Sequence, residues 1–214
     1  FQSIFAFIDG LAAPVYPFAV DAELAERGAG LFNASCARCH GHYDGSGPAY
    51  VSKRIDADVI GTDALYPTAL DQSFRDSLVG FLTEGLDGGQ VDIATDEVAD
   101  EGYVVPPLQG LWASAPYLHN GSAPTVEHLL NYELRMDLED RGIHAWIAED
   151  VNAYDQEGLG LEARFLTAKE HSARRFDHRV RSSKRRGMSA AGHDFGEALS
   201  APERRAIVEY LKTL

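Results

Sequence analysis

The pentapeptide Cys36-Ala37-Arg38-Cys39-His40 constrains this chain more than any other stretch in it. Its two cysteines are the only ones in 214 residues, so no thiol is left over for a separate disulfide or a four-cysteine metal site. C-x-x-C-H is the spacing of covalent c-type haem attachment. Two thiols three residues apart add across the two vinyl groups of one porphyrin, and the next residue, His40, then lies under the ring with a nitrogen aimed at the iron. The same cysteines could otherwise form a thiol redox pair or half of a zinc site. A redox pair wants a βαβ context, and a zinc site wants a second Cys/His pair at matching spacing. The chain displays neither.

A chain built around such a group is expected to be mainly α: a class I cytochrome c-like helical domain around one covalent haem, with long loops and an insertion. Residues 21–35 read as the helix that enters the haem motif. Asp21 is a fitting N-cap, Glu23 and Glu26 sit where the helix dipole favours acids, and Leu24, Leu31 and Phe32 recur at helical spacing. Gly28 and Phe32 share one face, which allows another helix to approach closely. The C-terminus offers the partner: Ser200 with Glu203 makes a capping box, followed by an apolar stripe of Ala206, Ile207, Tyr210, Leu211 and Leu214. Residues 41–48 form a glycine-rich loop suited to wrapping a porphyrin, with Pro48 placed to brace His40. A further helix is expected over 71–86 (Phe74, Leu78, Phe81 and Leu82 inward), an acidic loop over 85–102, and short helices near 137–151 and 161–176. Residues 1–20 form a lead-in, read as the end of a helix from something longer, and 21–214 form the domain, with its insertion at about 131–190.

Composition is that of a soluble globular protein, 45% apolar and 24% charged. No run of ~20 apolar residues is present to span a bilayer; residues 1–20 come closest and are broken by Asp9, Pro14 and Pro17. The first residue is not Met and no signal peptide is visible, so a processed or truncated chain is expected. Because haem c is attached outside the cytoplasm, a periplasmic or extracellular location is expected. The net charge is −14, yet residues 174–186 hold seven cations against Asp177, a local +6 that leaves −20 for the rest. Such a stretch is either a solvated loop or a docking patch for an acidic partner or the haem propionates. The overall field would repel nucleic acid and attract basic redox partners.

A second motif, Val105-Pro106-Pro107-Leu108-Gln109-Gly110-Leu111-Trp112-Ala113-Ser114-Ala115-Pro116-Tyr117-Leu118-His119-Asn120-Gly121-Ser122, resembles the P-L-x-G-[IL]-W-A-x-A-P-Y-L-H-N-G-S segment of the bacterial di-haem cytochrome c peroxidase superfamily. It is most similar to the C-terminal haem domains of the rubber-oxygenase-like branch. Tyr16-Pro17-Phe18 matches a common lead-in, and Ala191-Gly192-His193-Asp194-Phe195-Gly196 matches that branch's closing motif. Those enzymes carry two haems, and this chain has one C-x-x-C-H. In the oxygenase-like branch the C-terminal haem transfers electrons, so the resemblance implies a chain that keeps the relay and lacks the reactive haem.

A relay haem wants both axial positions filled by protein. His193 is the leading candidate for the sixth ligand, beside the flexible Gly192, and the resemblance implies the same role. Met188, His119 and Met136 are the alternatives. Trp112 and Tyr117 are expected to wall the haem pocket through their rings and hydrogen-bond through their polar tips. His42, His128, His144, His171 and His178 read as surface or structural. The function expected is a mono-haem c-type cytochrome that moves single electrons between redox partners or within a larger complex. The alternative is a peroxidase- or oxygenase-type enzyme with an open sixth position.

Overall fold

A computed structural model describes residues 2–43, 48–49, 53–68, 73, 77, 102–136 and 143–214 of the chain. In chain order the first part contains α1 (Gln2–Asp9), α2 (Ala22–Ser35), α3 (Ala37–His40) and the paired strands β1 (His42–Tyr43) and β2 (Pro48–Ala49). Strand β3 (Arg54–Asp56) pairs with β4 (Gly102–Val104), and the short helices α4 (Ala57–Ile60) and α5 (Leu65–Thr68) lie between them in sequence. Then come a 3₁₀ turn (Leu111–Ser114), α6 (Val126–Leu130) and α7 (Tyr132–Met136). Helix α8 (Ala168–Ala173) falls among the strands described below, and α9 (Ala201–Leu211) closes the chain. Among the described residues, no helix is long and apolar enough to cross a membrane.

Helices α2 and α9 are the frame. Asp21 caps α2 by accepting from the Leu24 N–H at 3.0 Å. Ser200 and Glu203 close the expected capping box on α9, the Ser200 N–H donating to Glu203 at 2.8 Å. The helices cross at Gly28, where backbone meets backbone, and the Phe32 and Tyr210 rings pack tilted against each other, centres 5.2 Å apart. Phe32, Ile207, Val208, Tyr210 and Leu211 form the main core with Leu108, Tyr117, Val126 and Leu130 from the second motif and α6. The helical periodicity of both segments is thus realised as one packed interface.

The stretch from 143 onwards departs from expectation. Where a short helix was expected near 137–151, the described part holds strand β5 (Ala145–Ile147). It pairs antiparallel with β8 (Arg164–Phe165) on one side and β9 (Arg181–Ser182) on the other. The helix expected over 161–176 is reduced to α8, and β8 precedes it. The reason is local. Residues 143–148 are buried throughout, so they carry no alternation to separate strand from helix. Trp146 and the β-branched Ile143 and Ile147 then favour the pleated form. This sheet has a small core of its own, with Ile143, Ala145, Ile147, Leu166 and Val180. Strands β6 (Tyr154–Asp155) and β7 (Gly160–Leu161) form a further hairpin. The helix expected over 71–86, the acidic loop before Gly102, residues 137–142 and the glycines at 45 and 47 lie outside the described residues, save Ser73 and Ser77.

Candidate haem site

The site starts where α2 ends. The Cys36 N–H donates to the Phe32 carbonyl at 2.7 Å, and the Cys39 and His40 N–H groups both donate to the Cys36 carbonyl at 3.1 Å. One helical turn therefore sets the two thiols on a single face, with His40 as its last residue. Gly41 closes the turn at φ 79°, its N–H bonded to the Ala37 carbonyl at 2.9 Å. Both cysteines are free and half-buried. Burial pushes the Cys36 thiol up to about 11, with the Cys39 charge adding to the rise. A disulfide oxidoreductase needs the opposite, a depressed thiol.

His193 arrives from the other end of the chain. Gly192 and His193 both adopt left-handed backbone, φ 83° and 51°. Gly192 packs so closely on the 61–62 backbone that a Cβ would stand 2.4 Å from the Gly61 carbonyl carbon and the Thr62 nitrogen. The His193 N–H donates to the Ile60 carbonyl at 2.7 Å. Beneath this loop lies Arg135, fully buried, whose guanidinium donates to the His128 and Leu129 carbonyls at 3.3 and 3.0 Å and to the Gly192 carbonyl. The result is an imidazole set toward His40, ring centres 6.3 Å apart and planes inclined by 62°.

That spacing suits an iron between the rings. A metal–imidazole bond is about 2 Å, and the bonding nitrogen sits about 1 Å from its ring centre, so two imidazoles on opposite sides of one metal place their centres roughly 6 Å apart. Both Nδ1 atoms are walled in by protein and close no hydrogen bond of normal geometry, while both residues keep part of their surface open. Burial lowers the pKa of His40, and the Pro106 carbonyl lifts it part of the way back. That carbonyl is the kind of acceptor that orients a ligating histidine. Burial, helped by the nearby His40 and Arg135, lowers His193 to about 4. Both rings are therefore neutral near pH 7, the form that binds a metal. Phe195 lies edge-on to His193 at 5.4 Å, and the Arg38 guanidinium sits over Phe195 at 5.3 Å. The residues present fit a haem held by Cys36, Cys39, His40 and His193.

The other expected site residues have the following surroundings, Tyr117 and Trp112 sharing one apolar cluster with Cys36. The exposed His119 stacks on Tyr103 at 4.5 Å, and Tyr103 in turn stacks on Tyr66 at 6.3 Å. Trp112 joins an aromatic cluster with Tyr16 and Tyr154, its Nε1–H donating to the Pro14 carbonyl at 2.8 Å. Tyr117 is buried in the main core, its hydroxyl donating to the Leu111 carbonyl at 3.3 Å. Pro48 pairs with Tyr43 in the β1–β2 ladder. The Met188 N–H closes a turn by donating to the Arg185 carbonyl at 3.1 Å, and Met136 ends α7. His144 is a buried structural residue, bridging the Arg135 and Ser122 carbonyls at 2.8 and 3.0 Å. Arg135 and Pro106 were not singled out from sequence. Nothing in a single sequence separates a buried arginine from a solvated one, and a backbone carbonyl leaves no residue signature.

Comparison with known proteins bears on the kind of domain this is. The family model described as cytochrome C oxidase, cbb3-type, subunit III matches residues 23–88, which include the C-x-x-C-H turn. The model described as RoxA-like, cytochrome c-like matches residues 102–138, which include the second motif. The chain carries a c-type cytochrome domain that resembles the RoxA-like branch. Its fold is cytochrome c-like, and such domains carry covalent haem c and serve haem-based electron transfer or redox chemistry. Among curated proteins the chain is similar to Uncharacterized protein y4iM of Sinorhizobium fredii, 32% identical over 97% of this chain and 52% of that protein. It is also similar to Uncharacterized protein y4iJ of the same organism, 35% identical over 52% of this chain and 18% of that protein. The chain thus spans about half the length of the first relative and less of the second.

Proposed function

We propose that this chain is a single-haem electron-transfer domain whose iron is held by His40 and His193, and that it passes single electrons between redox partners outside the cytoplasm. The observation that carries this reading is the pair of neutral, walled-in imidazoles with ring centres 6.3 Å apart. When bound, the haem supplies a reversible one-electron iron couple. The protein's part is to keep that couple fast and selective. His40 and His193 would hold the iron through two fixed nitrogens, which would limit rearrangement between its oxidation states and keep peroxide out. His40 is fixed by the helical turn, and His193 by the Ile60 carbonyl at 2.7 Å and by Arg135 behind Gly192. The walled-in imidazoles and the Arg135 cation behind the Gly192 carbonyl would favour the less charged ferrous form of a bound haem. Redox partners or a larger complex accord with the cbb3-type match.

The test is the visible and near-infrared spectrum of the purified ferric holoprotein, followed by reduction with dithionite. Low-spin iron with sharp reduced α and β bands and no near-infrared methionine band is expected. A methionine band would move the sixth ligand to Met188. A high-spin ferric spectrum would instead favour the peroxidase- or oxygenase-type enzyme.

A further inference from the structure

The cations of 174–186 fall into two groups. Arg174 and Arg179 are neutralised by Asp177 at 3.6 and 2.9 Å, and Arg174 also by Glu149 at 3.2 Å. Arg175, Arg181, Lys184, Arg185 and Arg186 are all exposed, and none has an ion pair among the described residues. Lys184, Arg185 and Arg186 form one wall of an open cleft of about 590 Å³, with Asp63, Leu65 and Thr68 opposite. Their field reaches neighbouring groups: after burial, Lys184 and Arg185 are what hold His171 below its ordinary value.

This wall is built rather than loose. Asn120 Nδ2 donates to the Gly187 and Ser189 carbonyls at 3.1 and 2.8 Å. Gly187 has φ 77°, and a Cβ there would stand 2.8 Å from Leu65 Cδ2, so the basic turn seats directly on α5. The Ser189 N–H donates to Asp63 Oδ2 at 3.3 Å. The opposite wall continues the 60–62 segment that grips Gly192 and His193. The cleft therefore lies on the His193 side of the site. Nearby, Phe176 is 84% exposed beneath the Arg175 guanidinium at 4.5 Å, an aromatic anchor of the kind that interfaces use.

We infer that this cleft docks an acidic redox protein, so that electrons cross on the His193 side. The inference rests on the electron-transfer reading above. The argument is one of charge. A chain of net −14 repels an acidic protein nearly everywhere, and these unpaired cations give such a partner one attractive approach. The same sign pattern orients the encounter, because the chain outside 174–186 carries a net −20.

The test uses ferric holoprotein and flavodoxin hydroquinone, an acidic one-electron donor, in a stopped-flow instrument; one electron passes from the flavin to the ferric iron. The expected bimolecular rate falls several-fold as salt is raised. In the variant K184E/R185E/R186E it drops about tenfold or more at low salt and rises with salt instead. Reduction by dithionite should stay complete and reversible in both proteins; its failure in the wild type would overturn the electron-transfer reading itself. A wild-type flavodoxin rate that rises with salt, or that the triple variant leaves unchanged, would overturn the docking site alone. Two further results also overturn it. An altered reduced spectrum in the variant would assign the cations to the haem carboxylates. Flotation on vesicles of equal parts phosphatidylcholine and phosphatidylglycerol, lost in the variant while flavodoxin rates hold, would assign them to a lipid surface.

Discussion

The Ala206 carbonyl oxygen lies 1.9 Å from the point where a Cβ on Gly28 would stand, so α2 and α9 touch backbone to backbone. The obstacle is main chain, which cannot rotate aside. Alanine at Gly28 gains about 1 kcal/mol of helix propensity, but overpacking of about 1–3 kcal/mol or more opposes it, and here whole helices must separate. Gly28→Ala should lower the Tm of the holoprotein by about 5 °C or more. Gly30 is the control, since a Cβ there meets nothing within 4 Å. Gly30→Ala should be at least as stable as the wild type by differential scanning calorimetry, and equal losses at both positions would refute the close crossing.

The legible part of this fold was the part with period and caps. Asp21, Ser200 and Glu203 marked the starts of α2 and α9, and Gly28 marked where the two could meet. The haem turn was legible because Cys36, Cys39 and His40 have the spacing of covalent haem attachment. His193 stood out through Gly192 and the closing motif, though only the fold brings it to His40. The strands of 143–182 were not legible, because a six-residue stretch buried on every side has no alternation to display. Arg135 was not legible for a different reason: its partners are carbonyls, and carbonyls are the same in every residue.

Lys212 and Glu209 form an ion pair at 2.6 Å with only 5% and 10% of their side chains exposed. Glu209 also accepts from the Asp21 N–H at 3.1 Å, and the Lys212 ammonium lies 5.6 Å from the Tyr16 ring centre. This pair ties the start of α2 to the end of α9. Lys212→Met leaves a buried carboxylate uncompensated and should cost about 3–5 kcal/mol. Glu209→Gln with Lys212→Met removes both charges and keeps an acceptor for Asp21. Urea unfolding should find the double variant more stable than Lys212→Met alone. Strictly additive losses would mean that the two groups do not interact.

Arg135 holds the His193 loop through the Gly192 carbonyl while anchoring itself on the His128 and Leu129 carbonyls of α6. Arg135→Met takes one donor from each of these carbonyls, at about 1–3 kcal/mol for a buried group left unsatisfied. Arg135→Lys keeps the charge but cannot match the planar fork that serves all three. The expected result for Arg135→Lys is a folded, haem-loaded protein with a measurable high-spin fraction in its ferric spectrum. A fully low-spin spectrum would limit Arg135 to a role in stability.

His193 sets the last prediction, because attachment and ligation depend on different ends of the chain. The thiols and His40 belong to the turn after α2, so His193→Ala should leave the haem covalently bound. Its ferric iron should turn high-spin, and its ferrous iron should bind carbon monoxide readily. Gly192→Ala should move in the same direction without touching the imidazole, since its Cβ would meet the Gly61 and Thr62 backbone at 2.4 Å and its φ of 83° disfavours a side chain. Met188→Leu should leave the spectrum low-spin. Added imidazole should restore the low-spin bands of His193→Ala by filling the vacated position, which separates loss of a ligand from collapse of the pocket. If Met188→Leu turned high-spin and His193→Ala did not, the sixth ligand would be Met188, and the two neutral rings would face each other for packing alone.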